Sequence, residues 1–168
     1  NPQAWNLRQV VAQALSLSSA RAGMKDIRLS ERIDASLVVN ADKEMLDLIL
    51  RNLLSNAIKY TGTFGEIVID ARAEDSLIVV SVSDNGAGID EETSNLLRQE
   101  ELFFKASGSE EESGETRFGL VLTREFVRIH GGSLWFESVS GVGTTFSFTL
   151  PAYADVRVSF DEERREEG

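Results

Sequence analysis

What this sequence lacks narrows it first. It has no cysteine. Disulfides and thiolate metal sites are therefore excluded, and the composition fits a reducing compartment. It has only two prolines in 168 residues, so it is neither linker-rich nor of low complexity. No run of about 20 apolar residues occurs, so no stretch reads as a membrane-spanning helix. No signal-peptide pattern opens the chain either. Positive charge is scarce: 17 Lys and Arg stand against 28 Asp and Glu, a net charge of -11. A nucleic-acid partner would want a basic face, which sets that class aside. The same deficit means that a bound polyphosphate must be neutralised locally, by a metal ion and a few chosen cations. What is present is 42% hydrophobic residues, enough for a real core in one domain. The chain starts at Asn1 rather than Met, which suggests a piece of a longer protein with any membrane segment outside it. Part of the acidity sits in Asp161-Glu162-Glu163-Arg164-Arg165-Glu166-Glu167, a run expected to fray in solvent.

The stretch Arg51 to Thr61 stands out. Asn52 and Asn56 are spaced i, i+4, and Lys59 follows, so at helical pitch the three side chains share one narrow stripe. Leu46, Leu50, Leu53, Leu54, Ala57 and Ile58 fall on another face, suited to a core. Two amide oxygens and a cation one turn apart can hold a hydrated Mg²⁺ and a phosphate. A merely wet polar face has the same pattern, so the rest of the chain has to decide.

Helical spacing of Leu7, Val10, Val11, Ala14, Leu15 and Leu17 predicts a helix over 5–22, stopped at Gly23. Ile27, Leu29 and Ile33 alternate as a strand, and Leu37-Val38-Val39 is a second short one. Asp42 is a good N-cap for a helix over 43–60. Residues 67–71 and 77–82 read as a strand hairpin. Its second strand runs into Asp84-Asn85-Gly86-Ala87-Gly88-Ile89, a tight glycine turn. An ordinary loop fits that turn. So does a site where a fixed carboxylate accepts from the amine of a flat heterocycle. Residues 91–98 look helical. Residues 99–116, with Phe103, Phe104 and Lys105 followed by Ser, Gly and Glu, read as a mobile loop, either a lid or a surface loop without a role. Arg117 to His130 reads as a helix stopped by Gly131-Gly132. Gly119 near its start would let an anion approach a helix N-terminus. Leu134–Glu137 and Thr144–Leu150 are strands, ended by Pro151. The domain is expected over 1–151. In the 152–168 tail, Val156, Val158 and Phe160 alternate as a weak edge strand would.

The order of these motifs resembles the catalytic, ATP-binding domain of bacterial sensor histidine kinases, over about residues 5–151. That domain is a Bergerat-fold ATPase, related to gyrase, MutL and the ninety-kilodalton heat-shock chaperone. The resemblance implies an α+β fold: a two-layer α/β sandwich with a mixed, largely antiparallel sheet of about five strands covered by three helices. It implies ATP and Mg²⁺ as ligands. Asn56 would be the Mg²⁺ ligand, with Asn52 beside the metal and the phosphates. Lys59 would contact phosphate and Tyr60 would lie along the nucleotide. Asp84 would take the adenine amine, with Gly86 and Gly88 making room, Ile89 lining the base pocket and Thr144 helping through a water. Lys105 would be a lid cation. Arg117, Gly119 and Leu120 would form the third wall.

The same resemblance implies phosphoryl transfer from ATP to a histidine on a dimerisation domain outside this piece, with a response regulator downstream. A cytoplasmic, monomeric fragment with no membrane contact is implied too. Asn52 stands where hydrolytic relatives would carry a Glu base, and an amide cannot take a proton from water. The single histidine, His130, lies at a helix end before Gly131-Gly132 and is expected to be structural, favoured there by the helix C-terminus. One departure is plain. The family pattern Gly-x-Gly-Leu-Gly-Leu is here Glu115-Thr116-Arg117-Phe118-Gly119-Leu120. Either Arg117 replaces the lost backbone contacts with a guanidinium, or phosphate binding is weakened and Glu115 adds repulsion. The second possibility opens an alternative: a degenerate signalling module that acts by protein contact.

Overall fold

The computed structural model describes residues 1–89, 91, 92, 95 and 111–153, with the backbone alone over 111–118. The expected Phe103, Phe104 and Lys105 hinge, the side chain of Arg117 and the tail strand at 156–160 lie outside the described residues.

The chain opens with β1 (Gln3–Asn6), which pairs antiparallel with β3 (Val38–Ala41) as a small two-stranded sheet. The helix expected from residue 5 begins at residue 7 instead, as α1 (Leu7–Gly23). The reason is local. The Asn6 side chain accepts from the Gln9 N–H at 3.1 Å, which makes Asn6 an N-cap and leaves Trp5 in extended backbone. The Trp5 indole N–H then donates to the Ala41 carbonyl at 3.1 Å and pins the strand.

Between these lies β2 (Arg28–Arg32), which pairs in parallel with β4 (Glu66–Glu74). The helix α2 (Lys43–Tyr60) starts where expected, because the Asp42 carboxylate accepts from Met45 N–H at 3.1 Å. Its far end is held by Lys25, whose ammonium donates to the carbonyls of Ile58, Lys59 and Thr61 at 2.8, 3.2 and 3.1 Å. A cation bonded to the last carbonyls of a helix satisfies groups that the helix itself leaves open. A two-residue turn at Asp75-Ser76 joins β4 to β5 (Leu77–Asp84) as the expected hairpin. Asp75 takes the positive φ of 56° that the turn needs.

After the undescribed stretch comes α3 (Glu111–Ile129). It begins six residues before the expected start at 117, over part of the segment read as a lid loop. Glu111, Glu112 and Glu115 are adequate helix formers, and acidic residues suit a first turn. They outweigh the breaking tendency of the Gly114 that suggested a loop. β6 (Leu134–Val139) and β7 (Gly143–Pro151) complete a five-stranded sheet of order β2-β4-β5-β7-β6. All of its pairings but β2–β4 are antiparallel. The mixed sheet, covered by three helices among the described residues, is the expected sandwich.

One face of the sheet carries Ile67, Ile69, Val80, Val82, Phe146, Phe148 and Leu150, all buried against Leu7 and Val11 of α1, Leu46, Leu50 and Leu53 of α2, and Val127 of α3. Truncating one of these leucines to Ala would cost about 2–5 kcal/mol. The opposite face, by the period-2 alternation of strands, presents hydroxyls instead. Ser81 and Ser147 pair across β5 and β7 at 2.8 Å, and Ser83 and Thr145 at 3.0 Å. The ordered backbone continues past Pro151, since Ala152 N–H donates to Ser76 and Tyr153 N–H to Val38.

Candidate functional site

A cavity of about 590 Å³ opens between the end of α1, the polar face of α2 and residues 119–120 of α3. Its described lining is Arg21, Met24, Lys25, Asn52, Ser55, Asn56, Ile58, Lys59, Gly119 and Leu120. The stripe of Asn52, Asn56 and Lys59 therefore faces a cavity and is not simply a wet surface. Its three members differ. The Asn52 amide N–H₂ donates to Thr123 Oγ1 at 3.3 Å and reaches Gly119 O at 3.5 Å, the limit of a hydrogen bond. Asn52 therefore ties α2 to α3. Lys59 lies at the exposed end of the stripe, with its ammonium 5.6 Å from the centre of the Tyr60 ring.

Asn56 is 8% exposed, and its Oδ1 is buried with no hydrogen-bond partner among the described residues. A buried carbonyl oxygen left unpaired costs about 1–3 kcal/mol. Buried polar groups nearly always find partners, so an orphaned one on a cavity wall is a candidate ligand donor. A hard divalent cation that takes oxygen donors fits that oxygen, beside the amide of Asn52.

The second cluster lies at the end of the sheet. Asp84 closes β5, opposite Thr144 of β7. Its Oδ1 accepts the Gly86 N–H at 2.9 Å. Burial pushes the Asp84 carboxyl above its ordinary value, and the backbone N–H groups of Gly86 and Thr144 pull it partly back. Ile89 N–H donates to Ser138 Oγ at 2.7 Å, and Ser138 Oγ lies 2.9 Å from Thr144 Oγ1. Gly141 N–H donates to the Ala87 carbonyl at 2.7 Å. The loop after Asp84 is thus pinned to the β6–β7 hairpin.

The model of the family described as histidine kinase-, DNA gyrase B- and HSP90-like ATPases matches residues 41–154, which carry both clusters. This chain belongs to that ATPase family. ATP is the family's nucleotide. The chain is 34% identical over 148 residues to the histidine protein kinase DivJ of Caulobacter vibrioides, covering 88% of this chain and 24% of DivJ. It thus spans about a quarter of that relative's length. The catalytic domain of the histidine kinase ThkA, solved in a nucleotide-free form, superposes with a TM-score of 0.76 at 26% identity, over 90% of this chain and 95% of that one. ThkA has also been solved with the response regulator TrrA, and there the TM-score is 0.71 at 26% identity, over 92% of this chain and 42% of that one.

Within this ATPase fold two expectations, at Gly119 and His130, need correction. Gly119 is not at a helix start. It is the ninth residue of α3, which runs Glu111–Ile129, so its N–H lies inside the helix and offers no N-terminal anion site. Gly86 and Gly88 make room within the protein itself. A Cβ on Gly86 would stand 2.3 Å from the Tyr60 carbonyl oxygen, and one on Gly88 2.6 Å from that of Val139. Their bareness lets the loop close onto the end of α2 and onto β6. His130 is structural, but not as a helix-end cation. Its Nδ1 bonds to the Phe126 carbonyl at 2.7 Å, and its Nε2 accepts the Asp42 N–H at 3.0 Å. That arrangement assigns the proton to Nδ1 and requires a neutral ring.

The cavity also contains residues that the sequence did not single out. Arg21 and Lys25 reach the cavity from the end of α1, and Ser55 from α2. No periodicity within α1 marks them, because their position depends on how α1 packs across α2. Ser138 links Ile89 to Thr144, and only the β6–β7 register brings it there. The Asp84 cluster does not belong to the described lining of the 590 Å³ cavity. The two clusters meet through the last turn of α2, where Tyr60 abuts Gly86.

Proposed function

We propose that this chain is the ATP-binding catalytic domain of a sensor histidine kinase and presents Mg·ATP to a histidine on a dimerisation domain outside these residues. The observation that carries the reading is the orphaned, buried Oδ1 of Asn56 on the cavity wall. Asn56 would hold Mg²⁺, with Asn52 beside it. The ion, when bound, supplies neutralisation of phosphate charge. Lys59 adds a fixed positive charge toward the phosphates, and Lys105 and Arg117 are proposed as lid-side cations. Tyr60 lies along the nucleotide. Asp84 accepts from the adenine amine, inside a loop that Gly86, Ile89 and Thr144 hold in place. Leu120 packs beside Gly119 on the third wall.

In the transfer itself, an imidazole nitrogen of the acceptor forms a bond to the γ-phosphorus. The bond from that phosphorus to the bridging oxygen breaks, and ADP leaves with the electron pair. Asn52 cannot remove a proton from water, and its amide is already engaged with Thr123, which disfavours hydrolysis as the main outcome. The acceptor domain and a response regulator are the proposed partners, and the ThkA–TrrA complex supports the second by likeness. Among the described residues no helix is long and apolar enough to cross a membrane. The domain is proposed to span 1–151, with 152–168 as its tail and a monomeric fragment in the cytoplasm. No observation favours the degenerate module over this reading.

Titration of Mg·ATP by calorimetry tests it, on wild type and on Asn56→Ala. Saturable heat from wild type, lost in the variant, is expected. A folded wild type that gives none would overturn the catalytic reading. The fragment alone should not label itself with γ-phosphate, because His130 is its one histidine and is bonded on both ring nitrogens.

A further inference from the structure

The cavity lining is charged in a way the chain as a whole is not. The protein carries a net charge of -11, yet the described lining holds Arg21, Lys25 and Lys59 and no Asp or Glu. Lys25 is committed, with three carbonyl oxygens at the end of α2 within 3.2 Å of its ammonium. Arg21 is not committed in this way. It lies in the last turn of α1, where a cation suits the helix end, but its side chain reaches across to α2. There one Nη1–H donates to Ser55 Oγ at 3.1 Å. Ser55 immediately precedes Asn56, so the bond holds the guanidinium against the segment that carries the orphaned oxygen. Arg21 has no carboxylate partner among the described residues. A guanidinium offers five N–H donors in a rigid fork, and a single bond to a hydroxyl leaves most of them unused.

We infer that Arg21, steered by Ser55, is a polyphosphate-recognition residue of this site, reaching it from α1. The inference rests on the nucleotide reading given above. Chemically, the ligand is a phosphate oxygen, which matches the planar fork of arginine in a way that a lysine does not. Ser55 acts as a positioning residue: it fixes one edge of the guanidinium, so that the free edge is ordered before the ligand arrives. The arrangement uses a cation that no local motif announces, and it answers the shortage of positive charge that a chain this acidic must overcome.

The test compares ligands that differ in phosphate content. Calorimetry with Mg·ATP and NMR titration with AMP would be run on wild type, Arg21→Ala, Arg21→Lys and Ser55→Ala, with thermal melts to confirm folding. Arg21→Ala should weaken Mg·ATP about tenfold, the size of one charge-assisted hydrogen bond. It should leave AMP within about twofold, since AMP lacks the terminal phosphates. Arg21→Lys should recover only part of the loss, and Ser55→Ala should fall between wild type and Arg21→Ala. Mg·ATP affinity within about twofold of wild type in Arg21→Ala would overturn the assignment, as would equal losses for ATP and AMP. A wild type that binds no Mg·ATP would instead sink the nucleotide reading beneath it, so the two failures are distinguishable.

Discussion

Along α2, Asn56 keeps a buried oxygen that has nothing to accept from among the described residues, whereas at the end of β5 the polar atoms are already engaged with one another. Asp84 accepts from Gly86, and Ser138 accepts from Ile89 and meets Thr144. The contrast follows from the elements that carry them. A helix satisfies its own backbone and projects side chains outward, so a side chain facing a cavity has few neighbours to bond. A strand end is flanked by ladder partners and turns, which supply donors on both sides. In the proposed reading, one part of the site is therefore incomplete until a ligand arrives. The other is assembled in advance. An orphaned buried atom points to binding more directly than a satisfied one, even where both sit on motif residues. The two amides of the same stripe repeat the lesson, since Asn52 is bonded to Thr123 and Asn56 is not.

The sharpest way to break this comparison is at Asn56. Asn56→Leu should reduce Mg·ATP affinity about 100-fold or more, because a direct donor to the cation is lost. Chemical denaturation of the ligand-free variant should nonetheless show equal or greater stability, by up to about 1 kcal/mol, since an unpaired buried acceptor has gone. A large loss of ligand-free stability would mean that Asn56 is a structural residue. The preassembled part should respond in the opposite manner. Gly88 has φ of 82°, and an added Cβ would meet the Val139 carbonyl at 2.6 Å. Gly88→Ala should therefore cost about 2–3 kcal/mol of folding stability before any ligand is added. A melt unchanged from wild type would show that this loop is not held as tightly as its contacts imply.

Next in size comes acid. If Asp84 must be ionised to accept the adenine amine, Mg·ATP affinity should fall as pH falls through its folded pKa. Burial places that pKa above 3.8. Below it the loss should approach about tenfold per pH unit. In the free protein the sign is reversed. Native Asp84 holds its proton more tightly than the unfolded chain does. Between 3.8 and the higher folded value, its contribution to stability therefore declines as pH rises. Affinity titrations and melts of wild type against Asp84→Asn read the two effects separately. Coincident signs would exclude Asp84 as the base-recognising carboxylate. The smallest expected effect is at Asn52. Asn52→Ala should lower ligand-free stability by about 1 kcal/mol, the value of its bond to Thr123. Stability that rose instead would erase the difference drawn between the two amides.

Much of this was legible in the chain itself. The limits of α2 follow from Asp42 as a cap and from a run of leucines at helical spacing. The β4–β5 hairpin follows from alternation broken at Asp75-Ser76. These signals are local, and a few neighbouring residues contain them. The start of α3 was misplaced because Gly114 and the serines around it argue for a loop, while the glutamates sustain a helix. The strand at Gln3–Asn6 was missed because it exists only by pairing with Val38–Ala41, more than thirty residues away. Its sequence carries little alternation of its own.

The site divides along the same line. The sequence by itself determined the stripe of Asn52, Asn56 and Lys59, the carboxylate at a strand end and the order of motifs that marks the family. Each of these depends on helical or strand period, or on residue type at a fixed spacing. Only the tertiary structure decided which of those groups are spoken for. The packing of α2 on α3 occupies Asn52 and leaves the Asn56 oxygen unpaired among the described residues. The crossing of α1 on α2 carries Arg21 into a cavity that its own helix never indicates. The close approach of Gly86 and Gly88 to backbone carbonyls shows what those glycines are for. Whether a polar atom has a partner depends on contacts between residues far apart in sequence, which no local pattern records.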